Sequence, residues 1–242
     1  MASVALVSGA AQGIGAAIAE ALLGEGYRVH AVDVDADKLH SWAAGRAGVV
    51  VHPVDLAAPA EIEALWAAID DSGDAVTALV NNAGIFFREP ALEVAVDDWD
   101  RVIAVNLRGT FLMSQAFARR VVARSGEGAI VSVSSGQAYR PASTGIAYAA
   151  SKAGISNMSR ALAGEWGPHG IRVNTVVPGL TDTAQPRAHK GDADFAAAAA
   201  GNPLRRLSTP QDVAAAVTFL LSANASAITG QAIVVNAGRL MI

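Results

Sequence analysis

Val4-Ala5-Leu6-Val7-Ser8-Gly9-Ala10-Ala11-Gln12-Gly13-Ile14-Gly15 carries an apolar run into a glycine-rich turn, and a helical apolar pattern follows over 16–23. Glycines at 9, 13 and 15 permit a tight turn and let the backbone approach a pyrophosphate at a helix N-terminus. The spacing is GxxxGxG, not GxGxxG. Read alone, the stretch is equally an ordinary βα turn in which glycine supplies positive φ.

Working outward, short β-rich runs recur at 4–7, 29–32, 49–54, 78–81, 129–133, 173–177 and 232–235. Most are continuously apolar, the pattern of parallel strands covered on both faces. Helical stretches at 16–23, 59–70, 97–124, 147–166 and 210–223 separate them. Strict βα alternation predicts one α/β domain over 1–242: a Rossmann-type, doubly wound parallel sheet of about seven strands, with helices on both faces and right-handed crossovers. Such sheets bind ligands beyond the carboxyl ends of their strands.

The 242 residues are 52% hydrophobic, ample for a core, and no linker or repeat divides them. Cysteine is absent, so neither disulfides nor thiolate metal sites arise. The five histidines show no ligand spacing, and a metal site is not expected. A net charge of −4 without a basic run argues against a nucleic-acid groove. No apolar stretch has spanning length and the N-terminus lacks a signal-peptide pattern, so a cytoplasmic protein is expected.

The chemistry-bearing residues fall at strand ends. Asp33 closes the second strand, eighteen residues after Gly15. A carboxylate there accepts bonds from both hydroxyls of an adenosine ribose and repels a 2′-phosphate, and Gln12 supplies no cation. NAD is therefore expected over NADP, although Asp33 also reads as a turn starter or helix cap. Asp55-Leu56 follow the third strand and Asn81-Asn82-Ala83-Gly84 the fourth. Asn106 sits within a helical pattern, where an amide is unfavourable unless it has a job. Ser134-Ser135 end the fifth strand and Pro178-Gly179 the sixth. Tyr148 and Lys152 stand four apart on one helical face. The ammonium is expected to favour the phenolate, lowering a pKa that starts near ~10 and tuning the Tyr to exchange a proton with an alcohol or carbonyl oxygen.

In order and spacing, these residues resemble the short-chain dehydrogenase/reductase family across essentially the whole chain. The resemblance implies an NAD-dependent enzyme that interconverts a secondary alcohol and a ketone. By it, Tyr148 is the acid/base and Lys152 its partner, which also holds the nicotinamide ribose. Ser135, thirteen residues before Tyr148, orients the substrate oxygen, and Asn106 distorts its helix to support a proton relay. The cofactor site it implies comprises Gly9, Gln12, Gly13, Ile14, Gly15, Asp33, Asp55, Leu56, Asn82, Ala83, Gly84, Pro178, Gly179, Thr181 and Thr183, with Tyr148 and Lys152. Three departures stand out: Ser8 where Thr is usual, Thr181 where a branched apolar residue is usual, and Asn236-Ala237-Gly238 in place of Asp-Gly-Gly.

A small alcohol or ketone is the expected partner, with Gln137, Tyr139, Pro141 and Ser143 as candidate pocket residues and 180–202 as a loop closing over the site. Arg187, His189 and Lys190 in that loop read either as a solvated face or as contacts to an anionic substrate. A dihydrodiol-type dehydrogenase and a 3-oxoacyl-thioester reductase are the alternatives within the family; a non-catalytic NAD sensor is the alternative outside it. Family members are commonly homotetramers, and helices 97–124 and 147–166 could supply a homodimer or homotetramer face.

Overall fold

The continuous apolar runs become the buried centre of a sheet. In the computed structural model, which describes residues 3–142 and 144–241, seven parallel strands lie in the order β3-β2-β1-β4-β5-β6-β7. They are β1 (Val4–Ser8), β2 (Arg28–Asp33), β3 (Val49–Pro53), β4 (Val76–Asn81), β5 (Gly128–Val133), β6 (Ile171–Pro178) and β7 (Ala232–Val235). All seven expected strands are present. Every residue of β1 is buried because helices cover both faces of the central strands.

On one face, α1 (Gly13–Gly24) packs against α9 (Pro210–Leu221), with Val7, Ile18, Leu22, Val217 and Leu220 in the core between them and the sheet. On the other, α3 (Pro59–Asp71), α5 (Thr110–Ala123) and α6 (Ile146–Trp166) bury Trp66, Phe117, Leu79 and Ile130. The strand order reverses between β1 and β4, which opens a crevice at their carboxyl ends.

The helix expected over 97–124 is three elements. The short α4 (Val96–Val102) leads into a π-helical segment, Ile103–Gly109, and only then into α5. Asn106 lies at the centre of the π segment, and its side chain bonds to other elements, which holds the helix in the wider winding. Periodicity alone could not separate one helix from three. Two helices were not expected: α2 (Ala36–Ala43), which buries only Leu39, and α8 (Asp192–Gly201), which buries only Phe195. A single turn, α7 (Ala184–Arg187), precedes α8. No helix among the described residues is long and apolar enough to cross a membrane.

Candidate active site

The glycine-rich turn is built by close packing. A Cβ on Gly15 would stand 1.9 Å from the Gly9 carbonyl oxygen, so only glycine lets α1 start where it does. Ser8 and Asn82 tie this turn to β4 across the crevice. Ser8 Oγ accepts from the backbone N–H of Asn82 at 3.1 Å and Ala83 at 3.2 Å. Asn82 Nδ2 donates to the carbonyls of Ser8 at 3.1 Å and Gly9 at 3.0 Å. Serine in place of threonine thus keeps the hydroxyl that matters. Gln12 caps α1 without a side-chain bond, and the first turn holds no acidic residue. The orphan N–H groups of α1 are left open to an anion.

Asp33 starts the turn after β2, one of the two roles the sequence allowed. Its Oδ2 accepts from Ala11 N–H at 3.0 Å and its Oδ1 from Asp35 N–H at 3.1 Å. These two bonds fix the carboxylate beside the glycine-rich turn, while the nearby Lys38 ammonium is taken by Asp35. Asp55 bonds Ala57 N–H and the Arg101 guanidinium at 2.9 Å each, which hold its carboxyl below the usual range against the opposing effect of burial. Leu56 buries its side chain in the core, so only its backbone is available to a cofactor.

Three of the four proposed catalytic residues meet at one cavity of about 570 Å³; Asn106 is buried behind it and does not line it. Val133, Ser135, Gln137, Tyr148, Lys152 and Pro178 all line it, as do Ile14, Asn82, Gly84, Gly179, Thr181 and Thr183 from the cofactor set. Both serines at the end of β5 line the cavity and differ in their bonds. Ser134 is buried and its hydroxyl is taken up by the Lys152 carbonyl and Ser156 Oγ, both at 2.9 Å, whereas Ser135 is half-buried and its Oγ accepts from Gln137 N–H at 3.2 Å.

α6 brings up Tyr148 and Lys152 one turn apart. It starts at Gly145, φ 81°, where a Cβ would strike the Phe86 ring at 2.5 Å. That close approach puts Phe86 edge-on to Tyr148, centroids 4.9 Å apart. Tyr148 keeps some exposure to the cavity, yet enough heavy atoms surround it for burial to push the phenol above its ordinary value; the Ser135 hydroxyl pulls the other way. This corrects the expected lowering. Lys152 Nζ stands 5.6 Å from the ring centroid and donates instead to the Val133 carbonyl at 2.7 Å. Its own burial brings the ammonium down to about 8.

Asn106 is fully buried. Its Oδ1 accepts from Ile85 N–H at 2.8 Å; its Nδ2 donates to the Ile85 carbonyl at 3.0 Å and Ser151 Oγ at 3.1 Å. It therefore joins the chain leaving β4 to α6. A methyl group at Gly84 would lie 3.4 Å from both Asn106 Oδ1 and Lys152 Nζ, which places the amide and the ammonium close to one glycine.

Some expectations need correction. Tyr139 is absent from the cavity lining, and its hydroxyl is buried without a partner among the described residues. Arg187 also stays out: it pairs with Asp182 and Asp192 and stacks on Phe195 at 4.2 Å, clasping α7 to α8. His189 and Lys190 do line the cavity, as does Pro141. Ser143 lies outside the described residues. Sequence reasoning missed Phe86, Arg88, Arg140, Arg239 and Leu240, which line the cavity from the β4 exit, the β5 exit and the C-terminal tail. No local motif marks them.

A family model described as enoyl-(acyl carrier protein) reductase matches residues 9–239. D-threitol dehydrogenase of Mycolicibacterium smegmatis is 39% identical over 97% of this chain and 92% of its own. The short-chain dehydrogenase/reductase eriH of Hericium erinaceus is 36% identical over 99% of this chain and 98% of its own. This chain belongs to the short-chain dehydrogenase/reductase family. Among solved structures of similar fold, the 3-ketoacyl-(acyl-carrier-protein) reductase of Brucella melitensis, complexed with NADH, superposes with a TM-score of 0.90 at 32% identity, covering 98% of each chain. The enzyme is an oxidoreductase that acts on CH–OH groups.

Proposed function

We propose that this enzyme interconverts a secondary alcohol and a ketone with NAD(H), on a small polyhydroxylated substrate. The observation that carries the reading is the convergence of Ser135, Tyr148 and Lys152 on one cavity, beside an uncapped helix N-terminus. Bound at that terminus, NAD supplies the hydride acceptor or donor. Ser135 holds the substrate oxygen. Tyr148 takes the hydroxyl proton during oxidation and returns it during reduction. Lys152 keeps a positive charge beside the phenol and favours the phenolate. Asn106 positions the β4 exit against α6 and supports proton exchange with Lys152.

Asp33 selects NAD: charge-assisted bonds to a ribose diol are worth about 1.5–3 kcal/mol each before desolvation, and a 2′-phosphate would lose them. Gln137 lines the cavity with a buried Oε1 that has no partner among the described residues, an acceptor for a substrate hydroxyl. The relative named for D-threitol supports a polyol. A cytoplasmic location, a homotetrameric or homodimeric state and closure by the 180–202 segment complete the reading.

The test is NADH absorbance with a panel of polyols and ketoses, run with NAD and NADP. NAD should be used at least about tens of times more efficiently than NADP, consistent with the loss of two such bonds. Asp33→Ser with Gln12→Arg should narrow or reverse that ratio. Equal use of both cofactors by the wild type defeats the Asp33 assignment. Tight NAD binding without turnover of any alcohol makes the protein a sensor.

A further inference from the structure

We propose that the substrate carries a negative charge, a carboxylate or a phosphate, at the end away from the reacting carbon, and that a ring of cations at the cavity mouth recognises it. This rests on the reading of the cavity as an alcohol dehydrogenase site and goes beyond it by choosing an anion over a neutral polyol.

Four separate segments each bring one permanent cation to the same cavity. Arg88 comes from the β4 exit, Arg140 from the β5 exit, Lys190 from the link between α7 and α8, and Arg239 from the C-terminal tail. His189 lies beside Lys190. Among the described residues no Asp or Glu lines the cavity, although the chain has 22 acidic residues against 18 Lys and Arg. An acidic protein with a wholly cationic mouth is an uneven charge distribution that random surface placement does not favour.

Pairing follows the same division. Elsewhere, guanidinium groups find carboxylates, as in Arg101–Asp55, Arg120–Asp70 and Arg206–Asp212. None of the four cavity cations has a carboxylate partner among the described residues. Arg88 Nε donates to Thr144 Oγ1 at 3.3 Å, which steadies the side chain and leaves its terminal nitrogens without a partner there. Lys190 is half-buried and has no partner among the described residues, the costlier place for a solitary ammonium. Asp182, the carboxylate in the same loop, is taken by Arg187, so the clasp that closes α7 on α8 also keeps an acid from neutralising the rim.

The rim and the reacting groups occupy different depths. Arg88, Arg140 and Arg239 are exposed and stand at the mouth, while Lys152 is buried beside Tyr148. A ligand that spans both has a hydroxyl at the floor and an anion at the mouth. Low-dielectric walls concentrate the field of converging like charges, and arginine forks suit carboxylate and phosphate alike.

The experiment follows nicotinamide fluorescence of the enzyme–NADH complex during titration with matched ligands. D-threitol is compared with D-threonate, and D-sorbitol with D-gluconate and D-sorbitol 6-phosphate. The charged member should bind at least tenfold tighter than its neutral counterpart, with the advantage shrinking as salt rises. The threonate and gluconate arms against the phosphate arm tell which anion the rim prefers. Arg140→Gln and Lys190→Gln, singly and together, should remove most of the preference while NADH affinity stays within threefold of wild type. Equal binding of neutral and charged members, or no binding by any charged member, overturns the proposal. So does a double variant that loses NADH affinity but keeps the preference, since the cations would then serve the cofactor's phosphates. NADH formation from the polyols without any advantage for the acids sinks this inference and leaves the dehydrogenase reading intact. Tight acid binding with no turnover of any member does the reverse.

Discussion

At the scale of single residues, the decisive balance is at Tyr148. In the protein alone, burial outweighs Ser135 and the phenol sits above its ordinary value. Phenolate is the base for alcohol oxidation, so kcat/KM for oxidation should rise with pH from neutrality into the alkaline range. Carbonyl reduction needs the protonated phenol and should fall over the same range. Lys152→Ala should slow oxidation most below about pH 8, where the ammonium is still charged and favours the anion. Oxidation that is flat with pH, with hydride transfer shown to be rate-limiting by an isotope effect, would contradict this. The Tyr–Lys pair was legible because helical spacing alone puts both side chains on one face. Its ionisation was not: the close Phe86 ring and the Val133 carbonyl that holds Lys152 come from distant segments. Distinguishing Ser135 from Ser134 required spacing, and the structure supplies the physical reason in the hydrogen bonds that bury Ser134 against α6.

At the scale of elements, the C-terminal turn after β7 carries a departure with a measurable consequence. Ala237 adopts φ 54°, left-handed backbone, at the place where the resemblance leads one to expect glycine. The Cβ penalty there is about 1–2 kcal/mol, partly offset by the extra chain entropy glycine has when unfolded. Ala237→Gly should therefore stabilise the protein by about 0.5–1 kcal/mol and raise Tm by roughly 1–4 °C. A lower Tm for the variant would show the strain to be relieved elsewhere. Asn236 anchors this turn through its bonds to the Leu240 carbonyl at 3.1 Å and to Gly238 N–H at 2.9 Å, and the turn carries Arg239 and Leu240 to the cavity. Strands were legible because full burial on two faces leaves an unmistakable apolar run. The π segment was not, because it preserves helical composition and changes only the winding. α8 was hidden for the opposite reason: its alanines have no periodicity, and Phe195 is its one buried side chain.

At the scale of the whole molecule, large apolar side chains remain exposed along one edge, where α9 packs on β7: Phe219 at 47% and Ile233 at 37%. Ile146 at the start of α6 and Val122 at the end of α5 are further exposed apolar groups, on the helices expected to form a subunit face. Light scattering should give a mass of two or four times the 24.6 kDa of one chain; the mass of a single chain at working concentration would contradict an oligomer. The parallel, doubly wound sheet and the glycine-rich turn were foreseen, since βα alternation constrains them strongly; the strand order came only with the structure. Of the cavity rim only Lys190 and His189 had been singled out, because four distant segments meet there only after folding. The central claim is that Tyr148 moves the proton that accompanies hydride transfer. It is tested most directly by measuring NADH formation and NAD binding side by side for wild type and Tyr148→Phe, a change that keeps the ring against Phe86 and removes only the hydroxyl. The account predicts turnover reduced by at least about a hundredfold, the lower end of what a general acid/base supplies, with NAD affinity nearly unchanged. A variant that keeps a substantial share of the wild-type rate would contradict it.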